Sequence, residues 1–594
     1  MSTVRYQVRC EPLAHRYCVL GEFTATSSPV LRLPSWIRGS YLVRDFAKHV
    51  QGLVAFADEV PVAITRLDKR SFRVEGQGRI RIEYAVHALD ASVRKAYLDT
   101  RRGFFNGSSL FYCPDGLAAA RYEIDIERPD ASVAPGWKLA TALTPAAIDA
   151  DGFGEYTAAD YETLIDSPVE MAAFQQVAFD VDGVPHALIL SGRCEPDLPR
   201  LASDIAKICH VQRELFGQEP TPAQMERYLF LTQVSGNGYG GLEHRTSTAL
   251  VCARDALPRP GQAGLRKGYR GFLGLVSHEY FHLWNVKRIT AASFAANDLS
   301  AEAYSDDLWA YEGVTSYYDD LMLLRAGLID GPVYLDLIAE AATRLQRTPG
   351  RAVQTLADAS FETWIKYYQP DEQTPNAAVN YYVKGALVSL CLDLWLRRHS
   401  AVTLDDVMRA LWQRYGRVDI GVPEGGLEAV ASELSGLQLQ VPFDAWLRSC
   451  SELPLAELLA EFGVSASLRP SSGASDEGGR SDSKHVPAVT LGLSLRNGEA
   501  VIATVYSGSP AEAAGLAAGD QLIAIDGLKL TAGNWATRLE TLRPGAPVNL
   551  AYFRGDELLN AAITPVVPAA DTWTLTLAEA SGEVMARRLA WLGC

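Results

Sequence analysis

The spacing of apolar residues changes along the chain, and this change constrains the fold more than any single motif does. Up to about residue 166, apolar and polar residues alternate in short runs such as Val4–Arg9 and Ser71–Val74, separated by Gly, Pro and Asp. From about residue 265 to 459, apolar residues recur at helical spacing, as in residues 271–286, 308–326 and 380–398. Alternation is typical of strands, and the longer period is typical of helices. The order predicts a multidomain α+β chain that begins with an antiparallel β domain.

Shifts in composition divide the chain further, because 594 residues exceed what one hydrophobic core usually holds. We expect a β-sandwich-like domain over residues 1–166 and a second domain over residues 167–464, helical from about residue 330. Residues 465–488 are rich in Ser, Gly and Asp and predict a flexible linker. A small further domain over residues 489–566 and a tail over residues 567–594 follow it.

The composition is that of an ordinary folded protein, with 48% hydrophobic and 21% charged residues. A net charge of -16 without a dense Lys/Arg cluster argues against a nucleic-acid partner. The N-terminus lacks the apolar core of a signal peptide, and no segment reaches the length of a membrane span. Nine cysteines between Cys10 and Cys594, without a CxxC pair, predict free thiols in a reducing compartment. We therefore expect a cytoplasmic protein without a membrane partner.

The segment SHEYFHLWNVKRI (Ser277–Ile289) contains two histidines four residues apart. In a helix this spacing places His278 and His282 on one face, while Glu279 is rotated by about 100 degrees. The pattern HExxH is typical of two zinc ligands with a glutamate that acts as a base. The alternative is a pair of core histidines on a partly apolar helix.

A catalytic zinc ion needs a third protein ligand and an open position for water. Glu312 in LWAYEGVTSYYDDL is the best candidate, because an unpaired carboxylate in an apolar, aromatic helix would be costly. A glutamate at a helix start near Gly313 is the alternative interpretation. Asp306 and Asp307 are weaker candidates, since they precede the apolar run and suit a solvated first turn.

The last domain resembles the PDZ family. SPAEAAGLAAGDQLIAIDG (Ser509–Gly527) is similar to that family's helix, turn and hairpin, and TLGLSL (Thr490–Leu495) stands where the family keeps its carboxylate-binding loop. PDZ domains bind extended peptides by adding a strand to a sheet. The resemblance implies a peptide C-terminus or an extended segment as a partner.

HEYFHLWNVKRI together with WAYEGVTSYYDDL resembles the glycyl aminopeptidase family of gluzincin metallopeptidases. The resemblance implies a thermolysin-like catalytic domain with one Zn²⁺ per chain, bound by His278, His282 and Glu312, and Glu279 as the catalytic base. The alanyl-type aminopeptidases share this scheme but have a shorter interval between the second histidine and the ligand glutamate. The longer interval here favours the glycyl family.

The glycine-rich turn GNGYGGLEHRTS (Gly236–Ser247) predicts the substrate-binding residues. Gly240 and Gly241 let backbone approach a substrate closely, and Glu243 adds a carboxylate. GGLEH resembles the GxMEN signature of alanyl-type aminopeptidases, which implies that Glu243 holds the α-ammonium group of the substrate. His244 replaces the Asn of that signature, and its role stays open. A turn with a surface glutamate is the alternative.

NYYVKGALV (Asn380–Val388) resembles the YxKG segment of related aminopeptidases. The resemblance implies that Tyr382 donates a hydrogen bond to the oxyanion that develops during the reaction. Tyr381 is the adjacent candidate, but helical phase places it on a different face.

Together these features predict a zinc-dependent aminopeptidase that hydrolyses the N-terminal peptide bond of peptides with a free N-terminus. The family resemblance implies small first residues such as Gly or Ala. Two alternatives are a zinc endopeptidase whose PDZ domain tethers the substrate, and a PDZ adaptor with a structural zinc site. The presence of Glu279 and Tyr382 argues against the adaptor, because a structural site needs neither a base nor an oxyanion donor.

Overall fold

The computed structural model describes residues 3–481, 483 and 485–593. The chain divides into two compact units, Met1–Ala303 with Leu411–Val422 and Tyr304–Ala410 with Pro423–Cys594. The cysteines from Cys10 to Cys450 are free thiols, while Cys594 lies outside the described residues. Within the described part of the chain, no helix combines the length and the hydropathy that crossing a bilayer requires.

The first unit begins with three β-sheets that share one apolar core. Alternation places every second residue of the first strand, such as Val4, Tyr6 and Val8, in this core. The largest sheet has eight strands, in the spatial order Thr144–Ile148, Gly154–Ala158, Arg121–Ile126, Thr3–Glu11, Arg16–Ala25, Gly78–His87, Val50–Ala57 and Val60–Val62. The two four-stranded sheets consist of Lys138–Thr141, Val169–Ala172, Arg102–Phe105 and Ala96–Leu98, and of Cys113–Pro114, Val30–Arg32, Ser71–Val74 and Ile64–Arg66. The short helices in this region are Pro12–Ala14, Phe46–His49, Gly107–Leu110 and Tyr161–Ile165.

The N-terminal part is rich in antiparallel strands, as the alternation predicted. One pair differs, since Thr3–Glu11 runs parallel to Arg121–Ile126. A hairpin cannot make a parallel pair, but the long connection between these two strands can. The alternating pattern predicts that a segment is a strand, but it does not show whether that strand runs parallel or antiparallel to its neighbour.

The same unit contains a five-stranded sheet that carries part of the site. Its strands follow the order Gln175–Val181, Val184–Ser191, Tyr228–Ser235, Ser247–Ala253 and Tyr239–Glu243. The three central strands are parallel, and Tyr239–Glu243, here called the edge strand, is antiparallel to its neighbour. The helices of this part are Leu198–Leu215, Arg254–Ala256, Lys267–Phe281, Ala292–Ala295 and Gly416–Val418.

The helix that carries the HExxH motif is Lys267–Phe281, here called the motif helix. The apolar pattern predicted that it continues to Val286, which is wrong. The chain leaves the helix after His282, and Val286 adopts a φ of 102 degrees, in a region that β-branched residues rarely occupy. Apolar spacing continues through this turn because its residues are buried, so the pattern does not reveal the helix end.

Helices dominate the second unit up to residue 460. They are Trp309–Gly313, Val314–Arg325, Gly331–Gln346, Pro349–Ala352, Leu356–Phe361, Glu362–Trp364, Thr374–Ala377, Tyr381–His399, Leu404–Arg414, Gly426–Ser435, Gln440–Leu447 and Leu455–Ala460. The first of these, Trp309–Gly313, is a π-helix. Single π-helical turns are rare and frequently lie at functional sites.

The stretch predicted as a flexible linker contains ordered structure, so that expectation is corrected. Val464–Pro470 is a strand that pairs antiparallel with Ala570–Leu577 of the predicted tail. Arg469 binds the largely buried carboxylate of Asp476, which the side chain of Ser472 also contacts. Ser, Gly and Asp are frequent in linkers, but they also form tight turns through side-chain to backbone hydrogen bonds. The composition alone does not separate these two cases.

The PDZ domain has its own apolar core around Leu491, Ile502, Leu522 and Leu550. Its elements are Leu493–Leu495, Ile502–Val505, Pro510–Ala513, Gln521–Ile525, Leu528–Lys529, Ala532–Asn534, Trp535–Leu539, Val548–Arg554 and Glu557–Ile563. Asn376 attaches the domain to the helices of its unit: its amide donates to the carbonyl of Val505 at 2.8 Å and accepts from the Ser507 N–H at 3.0 Å. A final helix, Gly582–Leu592, follows the tail strand.

Candidate metal centre and active site

The two histidines of the motif lie at the end of the motif helix. Their Nε2 atoms are 2.9 Å apart, and the Nδ1 atom of His282 is 2.8 Å from the carbonyl oxygen of Asn285. A carbonyl oxygen can only accept, so Nδ1 of His282 carries the proton and Nε2 presents its lone pair. A histidine held in this way has the tautomer that binds a metal ion.

Glu312 lies in the π-helix and is 1% exposed. Its neighbour Gly313 allows this π-helix to pack closely against the helix Tyr381–His399, because a Cβ atom on Gly313 would lie 2.5 Å from the Cα atom of Gly385. The aromatic residues before Glu312 are also buried. The π-helix is thus buried along its whole length, and Glu312 carries its one carboxylate.

His278, His282 and Glu312 form a group that could hold a metal ion. One ligand atom from each residue lies within 4.8 Å of the others. Two imidazole nitrogens and one carboxylate oxygen are the donors that zinc takes in catalytic sites with three protein ligands. Nitrogens bound tetrahedrally to one zinc ion stand about 3.3 Å apart, near the 2.9 Å observed for the two histidines. The residues therefore fit the predicted ion.

Glu279 projects from the motif helix toward the edge strand. A Cβ atom on Gly241 would lie 2.1 Å from Oε1 of Glu279, so only glycine leaves room for this carboxylate. The hydroxyl of Thr248 donates weakly to Oε2 at 3.4 Å. Glu279 is 4% exposed. A carboxylate confined in this way has a defined position next to the histidine pair.

Glu243 ends the edge strand and is buried, with 3% exposure. Its Oε1 atom has no hydrogen-bond partner. A Cβ atom on Gly39 would lie 2.1 Å from that oxygen. Burying an unpaired carboxylate costs free energy, and a cation bound next to it would lower that cost. The surface-turn alternative does not agree with this burial.

Gly39 belongs to the segment LPSWIRGSYLVRDF (Leu33–Phe46). It has a φ of 89 degrees, a region that favours glycine. Gly240 also has a positive φ, of 145 degrees, and faces open space, whereas Gly241 does not have a positive φ. Gly39 and Gly241, which stand against the carboxylates of Glu243 and Glu279, are thus required by space. A glycine in the sequence does not reveal what it faces.

His244 contacts the carboxylate of Asp166, which the sequence analysis did not single out. Its Nδ1 atom is 3.1 Å from Oδ1 of Asp166, which also accepts from Nζ of Lys287 at 2.7 Å. Oδ2 of Asp166 accepts from the Arg245 N–H at 2.9 Å. Burial by itself would raise the pKa of Asp166, but Lys287 and His244 hold that pKa well below its usual value. Asp166 thereby joins the end of the edge strand to the turn that follows His282.

Tyr382 lies in the first turn of the helix Tyr381–His399. The side chain of Asn380 caps this helix and accepts from the Tyr382 N–H at 2.9 Å. Burial raises the pKa of the Tyr382 phenol well above its usual value, and the nearby Glu312 carboxylate raises it further. Tyr382 is half-buried, whereas the adjacent Tyr381 is fully buried. The hydroxyl of Tyr382 is therefore a neutral donor close to Glu312.

The two aspartates that were weaker ligand candidates lie outside the metal-binding group. Asp307 is 6% exposed and accepts from the Gly425 N–H at 2.7 Å. Burial, and then the Glu424 carboxylate, raise the pKa of Asp307 to about 6. Asp306 is exposed, and its backbone N–H donates to Glu424. Both aspartates thus belong to a local carboxylate network.

We expect Asp307→Asn to stabilise the protein in a pH-dependent way. A carboxyl group whose pKa is raised in the fold disfavours folding above that pKa, and this cost disappears as the pH falls below its unfolded value. The variant should therefore gain about 2 kcal/mol at pH 8 and little at pH 4. Chemical unfolding at both pH values measures the difference. Asp306→Asn is the matched control, and an equal effect of Asp307→Asn at both pH values would contradict the expectation.

The chain matches three family models. The model of the M61 glycyl aminopeptidase matches residues 271–388, that of the peptidase M61 N-terminal domain matches residues 5–173, and that of the PDZ domain matches residues 487–564. The comparison with curated proteins found no match. These models agree with the resemblances seen in the sequence.

Solved structures resemble the chain at two levels. An aminopeptidase N family protein from Idiomarina loihiensis is 35% identical, with a TM-score of 0.94 over 99% of this chain and 100% of that chain. An M1 zinc metallopeptidase from Deinococcus radiodurans is 15% identical, with a TM-score of 0.48 over 76% of this chain and 94% of that chain. A variant of the latter bound to a Tyr-Ser-Ala substrate is 14% identical, with a TM-score of 0.49, over 76% and 94% of the two chains.

The first of these similarities extends over nearly the whole chain, and the family models cover its N-terminal, catalytic and PDZ regions in the predicted order. The predicted family and the multidomain α+β fold are confirmed. The chain belongs to the M61 glycyl aminopeptidase family and is a metallo-aminopeptidase that carries a PDZ domain.

Proposed function

We propose that this aminopeptidase removes small first residues, Gly or Ala, from peptides with a free N-terminus, using one zinc ion bound by His278, His282 and Glu312. The observation that carries the proposal is the unpaired, buried carboxylate of Glu243, on the strand that holds Glu279 in place. The preference for small residues rests on the glycyl aminopeptidase family alone.

The proposed mechanism assigns one step to each residue. A bound zinc ion supplies Lewis-acid polarisation of the scissile carbonyl and lowers the pKa of a water molecule. Glu279 accepts a proton from the attacking water and donates it to the leaving amine. Tyr382 donates a hydrogen bond to the carbonyl oxygen as negative charge develops on it. The neutral hydroxyl of Tyr382 suits this task, because a raised pKa keeps it protonated.

Glu243 determines which end of the peptide enters. Its buried oxygen lacks a partner, and a protonated α-amine would supply both the missing charge and the hydrogen bonds. An acetylated N-terminus carries no charge and would leave the carboxylate unpaired. The enzyme should therefore act as an exopeptidase, in contrast to the endopeptidase alternative.

The test of this function is a panel of free and acetylated peptides with varied first residues, assayed with and without a chelator. We expect hydrolysis of free Gly- and Ala-peptides, loss of activity with the chelator, and no hydrolysis of the acetylated forms. Cleavage of acetylated peptides at internal bonds would instead support the endopeptidase.

We expect Glu243→Gln to lower kcat/KM for free Gly-peptides by about 100-fold, because a buried carboxylate that pairs with an ammonium group contributes several kcal/mol. Zinc content should not change, since Glu243 is not a ligand. Glu214→Gln, at an exposed position, is the matched control. Unchanged kcat/KM in Glu243→Gln would contradict the amine-binding role.

We also propose that the PDZ domain binds a second peptide segment. Its strand Leu493–Leu495 pairs with Ile502–Val505 on one side. No other described strand pairs with it. An unpaired strand edge accepts an extended peptide through backbone hydrogen bonds.

A further inference from the structure

Arg94 lies at the edge strand without a carboxylate partner. Its Nη2 atom donates to the carbonyl oxygen of Gly241 at 3.3 Å. Its Nε atom is buried and has no hydrogen-bond partner. Arg94 forms no ion pair with any residue in the described part of the chain. The guanidinium thus has one contact to a neutral carbonyl and spare donors.

Such an arrangement is unusual for a half-buried cation, because a buried donor without a partner costs free energy. Arg102, eight positions further along, has donors that are paired in the usual way. It forms two hydrogen bonds to the buried carboxylate of Glu170, at 2.8 and 2.7 Å. A guanidinium group matches a carboxylate in this two-point geometry. Arg94 has the same chemistry but lacks the carboxylate.

The position of Arg94 relates it to the reaction. It contacts the carbonyl of Gly241, the residue whose missing side chain admits Glu279. Gly241 and Glu243 are two positions apart on one strand, which corresponds to about 7 Å. A peptide whose α-amine lies at Glu243 reaches its second residue over a similar distance. A carboxylate on that residue would therefore come within reach of Arg94.

We propose that Arg94 determines specificity by binding a carboxylate on the second residue of the substrate. This carboxylate is either the free C-terminus of a dipeptide or the side chain of Asp or Glu. The inference rests on the proposed function, because it takes the peptide orientation from Glu243.

The test compares the wild-type enzyme with Arg94→Gln and Arg94→Lys on four substrates. Gly-anilide and Gly-Gly-amide carry no carboxylate, Gly-Gly carries a C-terminal one, and Gly-Asp-amide carries a side-chain one. We expect Arg94→Gln to lower kcat/KM by about 10- to 100-fold on at least one carboxylate substrate, the range for a hydrogen bond to a charged group. Its activity on the two substrates without a carboxylate should stay within about twofold of the wild type.

The two carboxylate substrates distinguish the two sources of the group. A loss on Gly-Gly alone assigns the C-terminal carboxylate, and a loss on Gly-Asp-amide alone assigns the side chain. Arg94→Lys should recover part of the loss, because it keeps the charge. Arg101→Gln, at an exposed position nearby in the sequence, is the matched control and should behave as the wild type does.

Three results would overturn the inference, and they show whether the proposed function fails with it. An equal loss on all four substrates, or no loss on any, would contradict the role of Arg94 while the wild-type activity still supports the proposed function. A wild-type enzyme that hydrolyses none of the four would contradict the proposed function and this inference with it.

Discussion

Glu279→Gln is expected to lower kcat for Gly- and Ala-anilides by about 10³-fold while the protein keeps its zinc. Glutamine has nearly the same shape as glutamate and can still accept the weak hydrogen bond from Thr248, but it cannot take a proton from water. The ligand group of His278, His282 and Glu312 is unchanged in this variant. The variant should therefore lose its activity but keep its zinc content.

The measurement is anilide hydrolysis together with zinc content by atomic emission on the same preparation. Glu195→Gln removes an exposed carboxylate and is the matched control. If Glu279→Gln keeps wild-type turnover, Glu279 is not the base. If the variant loses its zinc, the lost activity has a different cause.

Gly241→Ala is expected to lower kcat by at least about 10²-fold, because a displacement of about 1 Å at a catalytic group costs this much. The added Cβ atom would lie 2.1 Å from Oε1 of Glu279, so the carboxylate must move. Gly241 does not have a positive φ, and alanine therefore introduces no backbone strain at this position. The predicted effect is specific to the contact with Glu279.

Steady-state kinetics on Gly-anilide and a thermal unfolding midpoint measure this prediction. We expect the loss in kcat together with unchanged zinc content. Gly236→Ala lies in the same glycine-rich turn, where a Cβ atom meets nothing within 4 Å, and should keep its activity. Wild-type kcat in Gly241→Ala would show that Glu279 can shift without consequence.

The elements that the sequence predicted best are those in which apolar residues recur at a regular spacing. The alternating runs Val4–Arg9 and Ser71–Val74 are observed as the strands Thr3–Glu11 and Ser71–Val74. The helix predicted for residues 380–398 is observed at Tyr381–His399. Burial on one face imposes these periods, and the sequence therefore displays them directly.

The predictions that failed depend on contacts between distant segments. The predicted linker contains all but the first residue of the strand Val464–Pro470, whose partner lies about 100 residues further along the chain. The turn after His282 is buried like the helix before it, so the apolar pattern continues past the helix end. Asp166 was not recognised, because its partners Lys287 and His244 are remote in sequence.

The sequence by itself determined the family and the order of the domains, and the spacing of His278 and His282 on a helix places them on one face, where a proposed metal ion would bind. Only the tertiary structure decided the space around the carboxylates of Glu243 and Glu279. Gly39 and Gly241 come from separate segments, yet each leaves room for one of them. Such space is created by packing between remote strands and helices, and no local pattern of residues encodes it.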